Sequence, residues 1–309
     1  MVGIIEWNDI QVAVISVVIL FNVVINVLVI VVIAKYPELR EDGTTLLMFS
    51  LSVSDLAAGC TTMPISAVLC AGRIPTTHLK QVQQVQVFCR WMFGFNSLHS
   101  LCWITVCKMI TLLKPLRHQK LLTRNRYYGI IIFNWVVGVA IAAKMCRMDV
   151  VWSSDICIYF VRATHNVSGL SLLVYVVSVV TPGVVLVYAT ARIFVVVPRT
   201  HAAINRQVHA LNVVGLNTAS AGLVTLHAIR SARNVLVICI VSVLLALPMS
   251  AMLFIRRRHP PPAELAFAAV WLFLGNTFLN SLLYITLYRS IRKKTKQLLT
   301  AVYTFLCRD

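Results

Sequence analysis

Seven long runs of apolar residues alternate with short basic segments along this chain. They cover 10–34, 43–72, 91–107, 127–143, 163–191, 234–255 and 265–288, and Asp55 is the single charged residue within them. A helix of about 20 apolar residues crosses the ~30 Å hydrocarbon core of a bilayer. Backbone in lipid must satisfy its own hydrogen bonds, so runs of this length form helices. At 59% hydrophobic and 12% charged, the chain is far too apolar for a soluble domain. The expected fold is an all-α membrane protein, a seven-transmembrane helix bundle forming one domain over 1–309. Spans are predicted at 10–34, 45–70, 86–110, 127–147, 166–196, 233–255 and 264–287, with a short interfacial C-terminal helix at 289–303.

Asp55 carries the strongest functional signal. A carboxylate inside a membrane helix is costly, and by default it marks a functional site. Asn26 lies in the first run, and Asn276 and Asn280 lie in the last. One acid with amides on separate helices suggests a polar switch inside the bundle.

The 28 Lys and Arg set the orientation. Most of them fall in the segments that face the cytoplasm if the N-terminus is outside, as the positive-inside rule requires. An N-terminus outside and a C-terminus inside demand an odd number of spans. Residues 208–229 are uncharged but rich in Asn, Thr, Ser, Gly and His, and are read as part of a long inner loop. The net charge of +18 then reflects topology and attraction to anionic membrane lipid, and no basic nucleic-acid module is present. Residues 1–9 have no basic n-region and the first run is too long for an h-region, so no cleaved leader is expected. No H-E-x-x-H, P-loop or nucleophile elbow points to an enzyme.

Several short motifs fall in order across the spans. The first carries Asn26 within Ile25-Asn26-Val27-Leu28-Val29. The second carries Leu51-Ser52-Val53-Ser54-Asp55-Leu56, with Pro64 beyond it. After the third come Lys114-Pro115-Leu116-Arg117-His118 and Leu121-Leu122-Thr123. Trp135, Pro182, Pro248 and Asn280-Ser281-Leu282-Leu283-Tyr284 follow in the later spans. Together these resemble the rhodopsin-like G-protein-coupled receptors over nearly the whole chain. The resemblance also has gaps. Cys107-Lys108-Met109 stands at the D-R-Y position, Ala246 replaces the large sixth-helix aromatic, Ser281 replaces the N-P-x-x-Y proline, and Thr190 stands at the fifth-helix tyrosine.

The resemblance implies a plasma-membrane receptor that senses a small extracellular ligand of unknown class and activates a heterotrimeric G protein. It places Asp55, Ser97, Asn276, Thr277 and Asn280, beside Asn26, in a sodium or polar-switch pocket. The alternative is a neutral Asp55 hydrogen-bonded to Asn26 and Asn280. It sets Lys108, Arg192, Arg230 and Arg233 toward the G protein, with plain positive-inside charge as the alternative. Cys107 cannot supply the acid that pairs with the third-helix cation in the family, so a weak resting lock and ligand-independent activity are expected. Arg90 is a candidate anchor for a ligand carboxylate in an outer pocket with Glu264; otherwise it snorkels or pairs with Glu264. The same resemblance suggests a Cys89–Cys157 disulfide and a motif tyrosine at Tyr284, and the sequon Asn166-Val167-Ser168 offers Asn166 for glycosylation. Leu274 at the retinal-lysine position argues against retinal, and no cofactor beyond a sodium ion is implied. Rival readings are a non-signalling or chemosensory receptor of the same fold and a transporter or channel. The last would call for paired intramembrane charges or broken helices, and Asp55 is the only clear intramembrane charge; no internal repeat is evident either.

Overall fold

The computed structural model describes residues 6–72, 78–114, 117–148, 150–161, 169, 173–174, 176–214, 219–255 and 261–307. Asn166 lies outside them. Helix α1 (Trp7–Lys35) leads through a 3₁₀ turn (Pro37–Glu41) to α2 (Gly43–Cys60). Asp42 caps α2, its carboxylate accepting from Thr44 N at 3.0 Å, which satisfies a donor left over at the helix start. The second membrane element breaks at Thr61 and resumes as α3 (Thr62–Cys70). Two causes meet there. Thr61 and Thr62 bond back to Ala57 O and Ala58 O at 2.6 and 2.9 Å, and Pro64 has no amide to continue the ladder.

Helix α4 (Leu79–Leu113) is the axis of the bundle. It packs on α2, on α6 (Arg124–Met145), on α7 (Thr181–Val214) and on α8 (Ala219–Ile255). A short helix α5 (His118–Leu121) precedes α6, and an antiparallel hairpin of β1 (Val150–Ser153) and β2 (Ile158–Val161) follows it. A single π-turn at Val176–Val180 leads into α7, where Pro182 removes an amide and helps shift the hydrogen-bond register. Helix α9 (Ala263–Leu287) returns against α1 and α8, and α10 (Arg289–Leu306) turns off at Tyr288.

Six helical stretches are long and apolar enough to cross a membrane: Trp7–Lys35, Gly43–Cys70, Arg124–Met145, Val176–Pro198, Ile229–Ala251 and Ala263–Leu287. Helix α4 completes the seven. Enclosed by four neighbours, it faces protein on most sides and needs less apolar surface. Elsewhere the outward-facing side chains are apolar, as at Leu20, Val136, Val184 and Leu244.

The stretch 208–229 departs from the loop expected of it. Helix α7 continues to Val214 and α8 starts at Ala219, so its described backbone is helical. Its Ala and Leu favour a helix even where the segment is too polar for lipid. The membrane-competent stretches stop at Pro198 and resume at Ile229, so it extends two helices rather than adding a span among the described residues.

Apolar packing gathers at both ends. At the end bearing Lys108, Val32, Leu47, Leu51, Ile104, Val235 and Tyr284 share one cluster. At the hairpin end, Ile15, Met63, Phe267, Val270 and Trp271 surround Ile156, Cys157 and Ile158. Along α10, Ile291, Thr295 and Leu298 are buried, while Leu299, Val302, Tyr303 and Phe305 stand exposed beside a row of basic residues. Lys294 anchors this helix, meeting Glu38 Oε1 at 2.5 Å and lying 4.6 Å from the Tyr36 ring centre.

Candidate functional site

The polar residues of the membrane helices meet in two adjoining networks. The first joins α1, α2 and α9. Asn22 Nδ2 donates to Thr277 Oγ1 at 2.5 Å. Asn26 Nδ2 donates to Asn22 O at 2.9 Å and to Thr277 O at 3.3 Å. Ser281 Oγ donates to Asn26 Oδ1 at 2.6 Å and shares a 2.9 Å hydrogen bond with Ser52 Oγ. So the serine at the motif-proline position ties three helices together.

The second network centres on Asp55. Ser97 of α4 and Asn280 of α9 hydrogen-bond its carboxyl group. Ser242 of α8 donates to Asn276 Oδ1 at 3.2 Å and to Asn280 Oδ1 at 3.4 Å. Asp55 Oδ2 is buried with no hydrogen-bond partner. A buried oxygen left this way is costly and calls for an occupant that supplies positive charge or a donor.

These contacts redraw the predicted pocket. Asp55, Ser97, Asn276 and Asn280 belong together. Thr277 does not join them, because its hydroxyl accepts from Asn22 and donates to Leu274 O at 2.8 Å. Asn26 faces Ser281 and Thr277 rather than Asp55. Asn22, Ser52, Ser242 and Ser281 were missed as network members. Asn22 could have been found, since it sits four residues before Asn26 on the same helix face. Gly59 makes room for it: a Cβ at Gly59 would overlap the Asn22 side chain.

At the far end Lys108 has an acid partner after all. Its Nζ lies 3.3 Å from Asp42 Oδ2, with the lysine side chain 10% exposed and the aspartate 53%. The sequence reading expected no acid from Cys107 and did not anticipate one from Asp42. The acid comes from the start of α2, not from the neighbouring position 107. Cys107 is buried and contacts the Tyr127 hydroxyl instead. Burial alone would raise the Asp42 pKa, but the Lys108 charge and the hydrogen bonds from Thr44 outweigh it and hold the carboxyl below its ordinary value. Arg192, Arg230 and Arg233 are exposed near the buried cluster of Leu112, Ile193, Ile229 and Ala232. Tyr284 is fully buried, its ring 6.0 Å from that of Tyr288.

At the hairpin end two expectations fail. Cys157 bridges to Cys70, not to Cys89. Cys70 ends α3 beside the hairpin turn, with a Cα–Cα separation of 5.3 Å, within bridging range. Cys89 is a free thiol within α4, in contact with Thr61. Arg90 and Glu264 do not form a pocket together. The Arg90 guanidinium donates to Tyr159 O, while Glu264 is exposed in the first turn of α9 and makes no ion pair among the described residues.

Comparison with known proteins agrees with this architecture. Residues 25–284 match the family described as 7 transmembrane receptor (rhodopsin family). Over 156 residues, 44% of this chain, the sequence is 27% identical to the alpha-1A adrenergic receptor of Oryzias latipes. That match spans 30% of the relative's length. A family match that runs from the first membrane helix to the last settles the class: the chain belongs to the rhodopsin family of seven-transmembrane receptors.

Proposed function

We propose that the chain is a plasma-membrane receptor, N-terminus outside and C-terminus inside, that passes a conformational signal from its hairpin end to a heterotrimeric G protein at its Lys108 end. The observation that carries this reading is the pair of polar networks. They connect α1, α2, α4, α8 and α9 midway between the hairpin and Lys108. Hydrogen bonds that cross helices in a membrane give the bundle discrete arrangements, and a signal needs at least two.

A sodium ion fits the second network. It is a hard cation, and the site offers oxygen donors of the kind such ions take. The buried, unpartnered Asp55 Oδ2 is the feature that asks for it; Ser97 and Asn280 bond the same carboxyl group, and Asn276 joins them through Ser242. A bound ion would supply the counter-charge that Asp55 lacks.

Separation of the packed ends of α4, α7 and α8 would open a groove for a partner helix that docks by its apolar face. Lys108, Arg192, Arg230 and Arg233 supply positive charge around it. A non-signalling receptor is the second reading, favoured by Cys107 and Ala246 at positions where the family keeps an acid and a large aromatic. Expressing the receptor with each class of G-protein α-subunit and recording ligand-independent activation separates the two. Activation of one class supports coupling. Silence with every class, unrelieved by Lys108→Arg, leaves the non-signalling reading.

A further inference from the structure

The π-turn at Val176–Val180 leaves one main-chain group without its regular partner. In a π-turn each carbonyl pairs with the amide five residues on. For Val177 that residue is Pro182, which has no amide. A main-chain carbonyl at membrane depth needs a donor from elsewhere. His99, half-buried on α4, supplies it: one ring nitrogen donates to the Val177 carbonyl. The other side of the ring is committed as well. Nδ1 lies 3.0 Å from Phe95 O. The imidazole also stacks on the Phe95 ring, with centroids 3.7 Å apart and 22° between the planes.

Two carbonyl oxygens therefore face the two nitrogens of one imidazole. A neutral ring carries one N–H, so it serves one carbonyl and turns a lone pair toward the other. The imidazolium carries two and serves both. The face of Phe95 also attracts a cation. Loss of water works against the charge, and these three contacts work for it. The surroundings add little charge of their own. Helix α6, which packs on Phe95, carries no ionisable side chain between Tyr128 and Lys144, and the chain from Val176 to Val187 carries none. On α4 itself, Arg90 bonds the hairpin, Ser97 on another face reaches Asp55 of α2, and Cys102 lies by Cys239 of α8.

We propose that His99 is a proton-binding staple: in acid its imidazolium joins Phe95 O to Val177 O and fixes the π-turn against α4. The competing donor for Val177 O is the amide of Thr181, four residues on, in the α-helical register. Exchanging one register for the other turns the segment ahead of Val177 by about 100°. A proton held more tightly in one register shifts the population toward it. The entry to α7 thus answers to acidity, independently of any G protein.

Purified receptor in lipid discs tests this with two readouts. Isotope-labelled histidine reports ring protonation by magnetic resonance. Leu173→Cys, exposed ahead of the π-turn, carries an environment-sensitive fluorophore in a background of Cys60→Ser and Cys307→Ser. His99→Gln keeps a donor but does not titrate. Pro182→Ala leaves His99 in place and gives the π register the amide that Val177 O lacks. Thermal unfolding checks that each variant is folded; if His99→Gln is not, Pro182→Ala decides alone. One histidine signal, lost in His99→Gln, should titrate as pH falls below the ordinary imidazole value of about 6.5. Over the same interval the ratio of fluorophore states should shift about tenfold, as roughly one buried hydrogen bond implies. The shift should vanish in His99→Gln and shrink severalfold in Pro182→Ala. No titrating signal from His99 overturns the proton site. Titration without a fluorophore response, or a response undiminished in either variant, overturns the staple.

Discussion

The Asp42–Lys108 pair makes a quantitative prediction. Lys108 is nearly enclosed, whereas Asp42 is about half exposed. Exposed pairs contribute about 0.2–1 kcal/mol, while removing one partner of a buried pair costs about 3–5 kcal/mol. With one partner enclosed and the other partly screened by water, the coupling should lie near 1–2 kcal/mol. That corresponds to a population change of about fivefold to thirtyfold.

Asp42→Asn is the cleanest perturbation. Asparagine also caps helices well, so the hydrogen bond to Thr44 N survives while the charge is lost. A double-mutant cycle of Asp42→Asn and Lys108→Met, followed by thermal unfolding, isolates the coupling. If the pair favours the closed state, Asp42→Asn alone should also raise ligand-independent output by about the same factor. A coupling within ~0.3 kcal/mol of zero, together with unchanged output, would refute the reasoning. The sign of the pH dependence follows from the lowered Asp42 pKa. The contribution is complete above the ordinary aspartate value of about 4 and is lost as pH falls through the lower folded value.

Three other outcomes are expected. Sodium should raise the unfolding temperature of purified receptor relative to a bulky organic cation at equal ionic strength, and Asp55→Asn should erase the difference; identical curves for the wild type would remove the ion. Gly43→Ala should cost about 1–3 kcal/mol by overpacking, since its Cβ would overlap the Tyr127 ring, whereas Gly129→Ala, with open space around it, should cost nothing. An N-terminal tag should stain on intact cells, and tags near Asn212 and after Asp309 only after permeabilisation; external staining at either of those two sites would contradict the orientation.

The fold was legible because lipid permits so few structures. Seven long apolar runs leave little choice beyond a helix bundle. Asp55 and the α9 asparagines also stood out, since polar side chains in such runs are rare. What stayed hidden depends on proximity in space. Lys108 and Asp42 are 66 residues apart, and no local pattern links them. Thr277 has the chemistry of a pocket ligand, but its helix turns it toward Asn22. Cys89 and Cys70 both lie upstream of Cys157, and only the fold brings one to the turn. Arg90 reads as a ligand anchor until the hairpin supplies the Tyr159 carbonyl. The helical ends of α7 and α8 were hidden by their polarity, which argues against a membrane span and says little about a helix in water.

Nucleotide exchange tests the central claim most directly. Purified receptor in lipid vesicles is mixed with each class of G-protein α-subunit, and the exchange rate is compared with that of empty vesicles. Acceleration of at least one class is the predicted result, stronger with Lys108→Arg, whose planar fork makes better-oriented contacts. No acceleration of any class, by either the wild type or Lys108→Arg, would contradict it.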